Sequence, residues 1–403
     1  MQLVSRAIRP SGPGKSAVTQ AAELRKRFDD FYPDQARIYR APGRVNLIGE
    51  HTDYNDGFVM PAAIDFYTWV AAAPRDDRKL VAYSENVSES VEFDLDASPV
   101  PQHRWSDYAF GVAAMLEQAG HGLRGANLLI LGQVPIGAGL SSSAAIEVAT
   151  GFALLENSGL AVDRVELARL CQRAENDFVG MRCGIMDQFI SCCGRAGQSL
   201  MLDCRSLEYR LVPLPSDISL VICNSMVKHE LANGEYNRRR AECEAGVRRL
   251  AQDLPQVRAL RDVTLADLDR YGRDLPEVVY KRCRHVVSEN ARVLEAASVL
   301  ERGDVAAFGD LMGESHRSLR DDYEVSCAEL DLLVELADGF AGTFGARMTG
   351  GGFGGCTINL VQSARVEDFT GAVARGYQEK TGRAPEIYVS TAAEGAAEVE
   401  TSC

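Results

Sequence analysis

Residues 126 to 156 read ANLLILGQVPIGAGLSSSAAIEVATGFALLE. An uncharged, strand-forming run meets two glycines and then a helix-forming run, so the order strand, tight turn, helix is set locally. The strand is expected over Ala126 to Val134 and the helix over Ser142 to Glu156. Gly137 and Gly139 can take positive φ and let an anion approach the backbone. The first turn of the helix then aims free N–H groups and a partial positive charge at that anion. Serines at the helix start can cap it or donate to phosphate oxygens. No lysine follows the glycines, so this is not a Walker loop, and Ser142 stands where a dinucleotide fingerprint needs a third glycine. A capped helix after a tight turn is the plain alternative.

A second concentration of chemistry lies upstream. Gly43 to Asp65 (GRVNLIGEHTDYNDGFVMPAAID) places Arg44, Glu50, His51 and Asp53 in a turn-rich segment between apolar flanks. A guanidinium, two carboxylates and an imidazole so close together fit a preorganised polar pocket better than a solvated loop. Composition narrows the partners. A formal charge of -14 repels polyanions, so no nucleic-acid partner is expected. No run of about 18 apolar residues occurs, so no membrane span is expected. The 11 cysteines are odd in number and show no CxxC spacing. Several sit in apolar runs such as FISCC, which suits reduced thiols and a cytoplasmic location. The stretch before Glu23 has three basic residues, no acid and no secretory apolar core, and is expected to be a frayed tail.

The coarse pattern is α+β. Short strands are expected at 37–39, 67–73, 79–84 and 91–95, then an amphipathic helix at 105–118 with Tyr108, Val112, Met115 and Leu116 on one face. One helix is expected over 164–179, followed by strands at 199–203, 211–214 and 220–224. Long helices follow at 236–254, 276–302, 305–321 and 328–339. A strand after the glycine run at 350–355, a helix at 366–380 and a strand at 386–390 close the chain. At 403 residues the chain suits two domains. They are expected at 20–213 and 214–403, with the boundary near Pro213 to Asp217. There is no internal repeat.

GRVNLIGEHTDY closely resembles the galactokinase signature of the galactokinase, homoserine kinase, mevalonate kinase and phosphomevalonate kinase superfamily. Three further matches follow in the family's order: VPIGAGLSSSAAIEVA from Val134, AENDFVGMRCGIMDQF from Ala174 and MTGGGFGGCTINLV from Met348. GEHTDY is the motif specific to the galactokinase branch. The resemblance implies a two-domain small-molecule kinase fold, with an N-terminal α/β domain like a ribosomal protein's and a ferredoxin-like C-terminal domain. It also implies a left-handed crossover near the phosphate loop. The implied activity is ATP-dependent phosphorylation of the anomeric hydroxyl of α-D-galactose, with Mg2+. A kinase for N-acetylgalactosamine or a similar sugar is the alternative. A non-enzymatic galactose sensor is the remote one, because such relatives lose phosphate-loop residues that are complete here.

Residue roles follow from the same resemblance. Asp187 and Arg44 are the catalytic pair. Glu50, His51, Thr52, Asp53, Gly184 and Tyr236 form the sugar set. Gly137, Ala138, Gly139, Leu140, Ser141, Ser142 and Ser143 bind ATP, and Ser143 and Glu175 hold the metal. Read alone, these residues are less committed. Asp187 suits a helix cap, Glu175 an outward salt bridge, and Tyr236 a helix start beside an arginine cluster. Trp105 and Tyr108 offer faces for a purine or for the core. TGGGFGG could be a structural turn, although the family lays it against the phosphate loop. The implied substrates are galactose and ATP, and oligomeric state is left open.

Overall fold

The computed structural model describes residues 16–97, 100–228 and 232–400. Most of the basic N-terminal stretch therefore lies outside the described residues. Its remainder is no frayed tail, because Ala17–Asp29 forms helix α1, capped by the Ser16 side chain and anchored through Ala21, Leu24 and Phe28.

The N-terminal half builds a six-stranded sheet. Its strands are β1 (Arg37–Asn46), β3 (Pro61–Pro74), β4 (Lys79–Ser84), β5 (Glu89–Asp94) and β6 (Ala126–Gly132), joined by β13 (Ala397–Glu398) from the far end of the chain. The order is β13-β1-β3-β6-β4-β5. Only β4 and β6 run parallel, linked through β5 and helix α2 (Ser106–Gln118). Helices α3 (Ser142–Asn157), α4 (Arg164–Arg173) and α5 (Met186–Cys193) complete this layer. A small sheet combines β2 (Phe58–Val59), β7 (Gln198–Asp203) and β8 (Tyr209–Pro213).

The second half holds β9 (Ile218–Lys228), α6 (Ala232–Leu250), α7 (Leu265–Tyr271), α8 (Glu277–Glu301), α9 (Val305–Asp321) and α10 (Ala328–Asp338). It ends with β10 (Thr343–Thr349), β11 (Gly354–Gln362), α11 (Val366–Thr381) and β12 (Glu386–Ser390). The antiparallel order β10-β11-β9-β12 is that of a ferredoxin-like sheet, as expected. One apolar core joins the halves. Val45, Leu47 and Ile48 pack in a single cluster with Val293 of α8, Phe308 of α9 and Ile358 of β11. The segment after β1 is thus clamped by the second half of the chain.

Two expected helices differ in kind. α2 is not amphipathic: Ala109 to Leu116 are all buried and only Tyr108 of the expected face is partly open, because α3, α4 and the segment Ala174–Val179 pack around it. The expected helix over 164–179 stops being α-helical at Arg173, and Ala174–Val179 widens into a π turn.

Candidate active site

Arg44 lies near the end of β1, just past a register shift between Pro42 and Arg44. Gly43 beside it has no room for a side chain, since a Cβ would lie 2.5 Å from Leu140 O and 2.8 Å from Val134. This close approach seats the phosphate loop on β1, and Arg44 N donates to Leu140 O at 3.1 Å. The buried Arg44 guanidinium makes a two-point pair with Asp187, at 2.8 Å from both Nε and Nη2. Its Nη1 donates to Gly139 O at 2.6 Å. Ser141 Oγ donates to Asp187 Oδ2. Asp187 therefore stands in the first turn of α5 without capping it. Ser141 sits at φ 60°, a left-handed position unusual for serine, and makes no capping bond to α3. The αL turn sends its hydroxyl to Asp187 instead of to a helix amide.

The GEHTDY set surrounds the other end of the cleft. Glu50 is buried, and its Oε1 accepts from Gly350 N at 2.7 Å and Thr349 Oγ1 at 3.2 Å. Burial raises its carboxyl above the usual range, and the nearby Arg347 guanidinium opposes this. Its backbone is held too, because Glu50 O and His285 Nε2 lie 3.1 Å apart. His51 adopts φ 63° and pairs through Nδ1 with Tyr54 OH at 2.7 Å. Burial, with His285 nearby, lowers it to about 3, so the ring is neutral. Asp53 opens onto the cleft; burial and the Asp187 charge raise it to about 7. A Cβ at Gly184 would overlap Asp53 Oδ2, which is why glycine stands there. Tyr236 packs 5.6 Å from His51 and 5.3 Å from Tyr54 between ring centroids and borders the cleft.

Thr52 departs from the expected set. It is fully buried away from the cleft, and its hydroxyl lies 2.8 Å from Gly49 O and 2.6 Å from Phe58 O. Its hydroxyl braces the loop and does not face a substrate. Ala138 is likewise buried in the interdomain core and does not border the cleft. Gly137, Gly139, Leu140 and Ser141 to Ser143 do. Gly137 and Gly139 take φ of 72° and 76°, as the turn requires.

Glu175 lies in the π turn. Its buried carboxylate accepts from Ser143, from Gln188 Nε2 at 2.6 Å and from Cys183 Sγ at 3.5 Å. It makes no outward salt bridge. Burial and the Asp187 charge raise it to about 7. Among the described residues no cluster of three or more His, Cys, Asp or Glu is placed for a metal. One carboxylate and one hydroxyl facing a phosphate site nonetheless fit magnesium, which takes few protein ligands and completes its shell with phosphate oxygens and water. A buried carboxylate of raised pKa is also one that a cation would hold ionised.

A cleft of about 700 Å³ joins these parts. Its outer end is apolar: Trp105 and Tyr108 border it with Val87, Ile130 and Ile136, of which Val87 is 52% and Ile136 70% exposed. Sequence reasoning missed Ser84, Asn86 and Val87 at this end, where β4 ends and its turn begins with no distinguishing pattern. It also missed Gln188 and Glu147. A lone carboxylate inside the apolar run SAAIEVA was the available signal for Glu147. TGGGFGG lies against the phosphate loop, where a Cβ on Gly350 would come within 3.1 Å of Gly139 O.

Comparisons with known proteins agree with this geometry. Residues 26–74 match the galactokinase galactose-binding signature, 107–195 the GHMP kinase N-terminal domain and 296–378 the GHMP kinase C-terminal domain. The chain is 50% identical over 378 residues to a galactokinase of Roseiflexus sp. (strain RS-1), covering 94% of this chain and 97% of that one. It is 53% identical over 368 residues to a galactokinase of Chloroflexus aggregans, covering 91% and 94%. The crystal structure of Lactococcus lactis galactokinase complexed with galactose superposes with a TM-score of 0.89 at 38% identity, covering 94% and 99%. The mevalonate kinase of Methanococcus jannaschii, at 18% identity and TM-score 0.62 over 89% and 98%, shares the fold.

Proposed function

The chain belongs to the galactokinase family of GHMP kinases, and on that premise we propose that it transfers the γ-phosphoryl group of ATP to the anomeric hydroxyl of α-D-galactose, giving galactose 1-phosphate and ADP. The observation that carries this reading is the pairing of Arg44 and Asp187 at the junction of the phosphate loop and the GEHTDY loop. A phosphoryl acceptor held by one loop would there meet a donor held by the other.

The chemistry follows from the donor count. Asp187 accepts from Arg44 Nε, Arg44 Nη2 and Ser141 Oγ. A carboxylate has about four lone-pair directions, so one remains for a sugar hydroxyl. With three of those directions already filled, the main role of the carboxylate is to orient the hydroxyl, with proton loss late in the transfer. Arg44 offsets charge developing on the transferred group. Glu50, His51, Asp53, the Gly184 backbone and Tyr236 would bind the sugar; a buried carboxylate rejects a sugar whose missing hydroxyl leaves it unsatisfied. Glu175 and Ser143 would hold a magnesium ion, which supplies charge neutralisation to the phosphates of ATP when bound. The aromatic and aliphatic groups at the outer end suit the adenine.

Two further readings belong to this proposal. The functional division is 20–213 and 214–403, with β13 lent back to the first sheet. The location is cytoplasmic, supported by ten described cysteines that are all unpaired. Among the described residues no helix is long and apolar enough to cross a membrane.

ATP consumption across a panel of sugars tests the assignment. Galactose is expected to give the highest kcat/KM, and a clear preference for N-acetylgalactosamine would overturn it.

A further inference from the structure

Asp187 and Gln188 are consecutive at the start of α5, yet they serve opposite sides of the site. Asp187 meets Arg44 and Ser141, whereas Gln188 is wholly buried behind the cleft. A single nitrogen, Gln188 Nε2, donates to Glu175 Oε2 at 2.6 Å and to Glu147 Oε2 at 3.0 Å. Glu147 is also fully buried, on α3, the helix that carries Ser143. Glu147 Oε1 and Gln188 Oε1 have no hydrogen-bond partner among the described residues. Both N–H bonds of one neutral amide are thus committed to two carboxyl groups, one of which borders the cleft.

We propose that Gln188 is a positioning residue: it fixes the Glu175 carboxylate in the orientation needed for magnesium, and Glu147 anchors it from behind. The π turn makes such a brace necessary. Glu175 leaves an α-helix where the backbone widens, so the helix ladder does not by itself fix the direction of its side chain. The brace also ties the metal side to the transfer side, because Gln188, which holds Glu175, adjoins Asp187 on the same helical turn. An apolar residue of similar volume would leave the Glu147 carboxyl without a donor and Glu175 with only Ser143 and Cys183, and a shorter amide would draw the donors back.

The inference rests on Glu175 being a magnesium ligand, so both assignments are measured together. Binding of Mg·ADP to the galactose-bound protein is followed by calorimetry for Gln188→Leu, Gln188→Asn, Glu147→Leu and Glu175→Ala. Galactose affinity without metal and the thermal midpoint are recorded for each. Mg·ADP affinity is expected to fall about tenfold to a hundredfold in both Gln188 variants, the range for losing a ligand's outer partner. Galactose affinity should stay within about twofold, and KM for Mg·ATP should rise more than kcat falls. The losses in Gln188→Leu and Glu147→Leu should not add in the double variant, because both act through one path. Gln188→Asn retains both donors and guards against failure of the Leu variant to fold. Wild-type Mg·ADP affinity in Gln188→Asn, with Glu175→Ala impaired, would overturn the positioning role. Unchanged affinity in Glu175→Ala would instead remove the ligand assignment beneath it.

Discussion

Asp187 collects three donors, and the charge distribution around it follows from that. Asp187→Asn would replace one oxygen by a donor facing Arg44 or Ser141, so the remaining acceptor for the sugar hydroxyl is lost or misaimed. We expect kcat to fall by about two to four powers of ten, the range for losing a general base, with galactose affinity nearly retained. Steady-state turnover beside equilibrium galactose binding checks this, and near-normal turnover would exclude Asp187. Gly184 makes a contrasting case. Its missing side chain leaves room for the Asp53 carboxylate, so Gly184→Ala should raise KM for galactose by about tenfold to a hundredfold, the scale of a misplacement near 1 Å. A variant with unchanged KM would mean that Asp53 is free to move without loss.

Elements meet at the site through backbone contact. β1 and the phosphate loop touch at Gly43, where no Cβ fits between Leu140 O and Val134. Gly43→Ala should push the loop off β1, costing about 1 to 3 kcal/mol in stability as overpacking does. Because the loop also receives Arg44 N, KM for ATP should rise with it. Urea unfolding and nucleotide kinetics would report the two effects together; a rise in neither would mean the loop adjusts independently of β1. The π turn at Ala174–Val179 is the element the sequence concealed most fully. AENDFV continues the helical pattern of α4, and only the folded backbone, packed there against α2, shows that it widens.

The whole molecule decides the state of the charges. Burial and the Asp187 charge raise both Asp53 and Glu175 to about 7, whereas free carboxyls titrate near 4. The folded chain therefore holds protons that the unfolded chain has released, and the stability these groups lend is full below about pH 4 and lost as pH rises through about 7. Galactose and Mg·ADP favour the ionised forms, so they should raise the thermal midpoint more at pH 8 than at pH 6. An equal rise at both pH values would show that neither carboxylate is ionised by ligand. Arg347, fully buried, donates to Asn46 O at 3.1 Å and lies 3.7 Å from Glu50, while Glu289 accepts from Gly49 N at 2.9 Å. Residues some 240 to 300 positions downstream thus hold the GEHTDY loop. The sequence by itself determined the strand, glycine turn and helix of the phosphate loop and the identity of the reactive groups, because glycine conformation and side-chain chemistry are local properties. Tertiary structure alone decided that Ser141 bonds Asp187, that Thr52 faces inward, that Gln188 braces Glu175, and which carboxylates are shifted. Each of those depends on burial and on partners from distant segments, and no local pattern encodes a solvent boundary that forms only when the two halves close on one core.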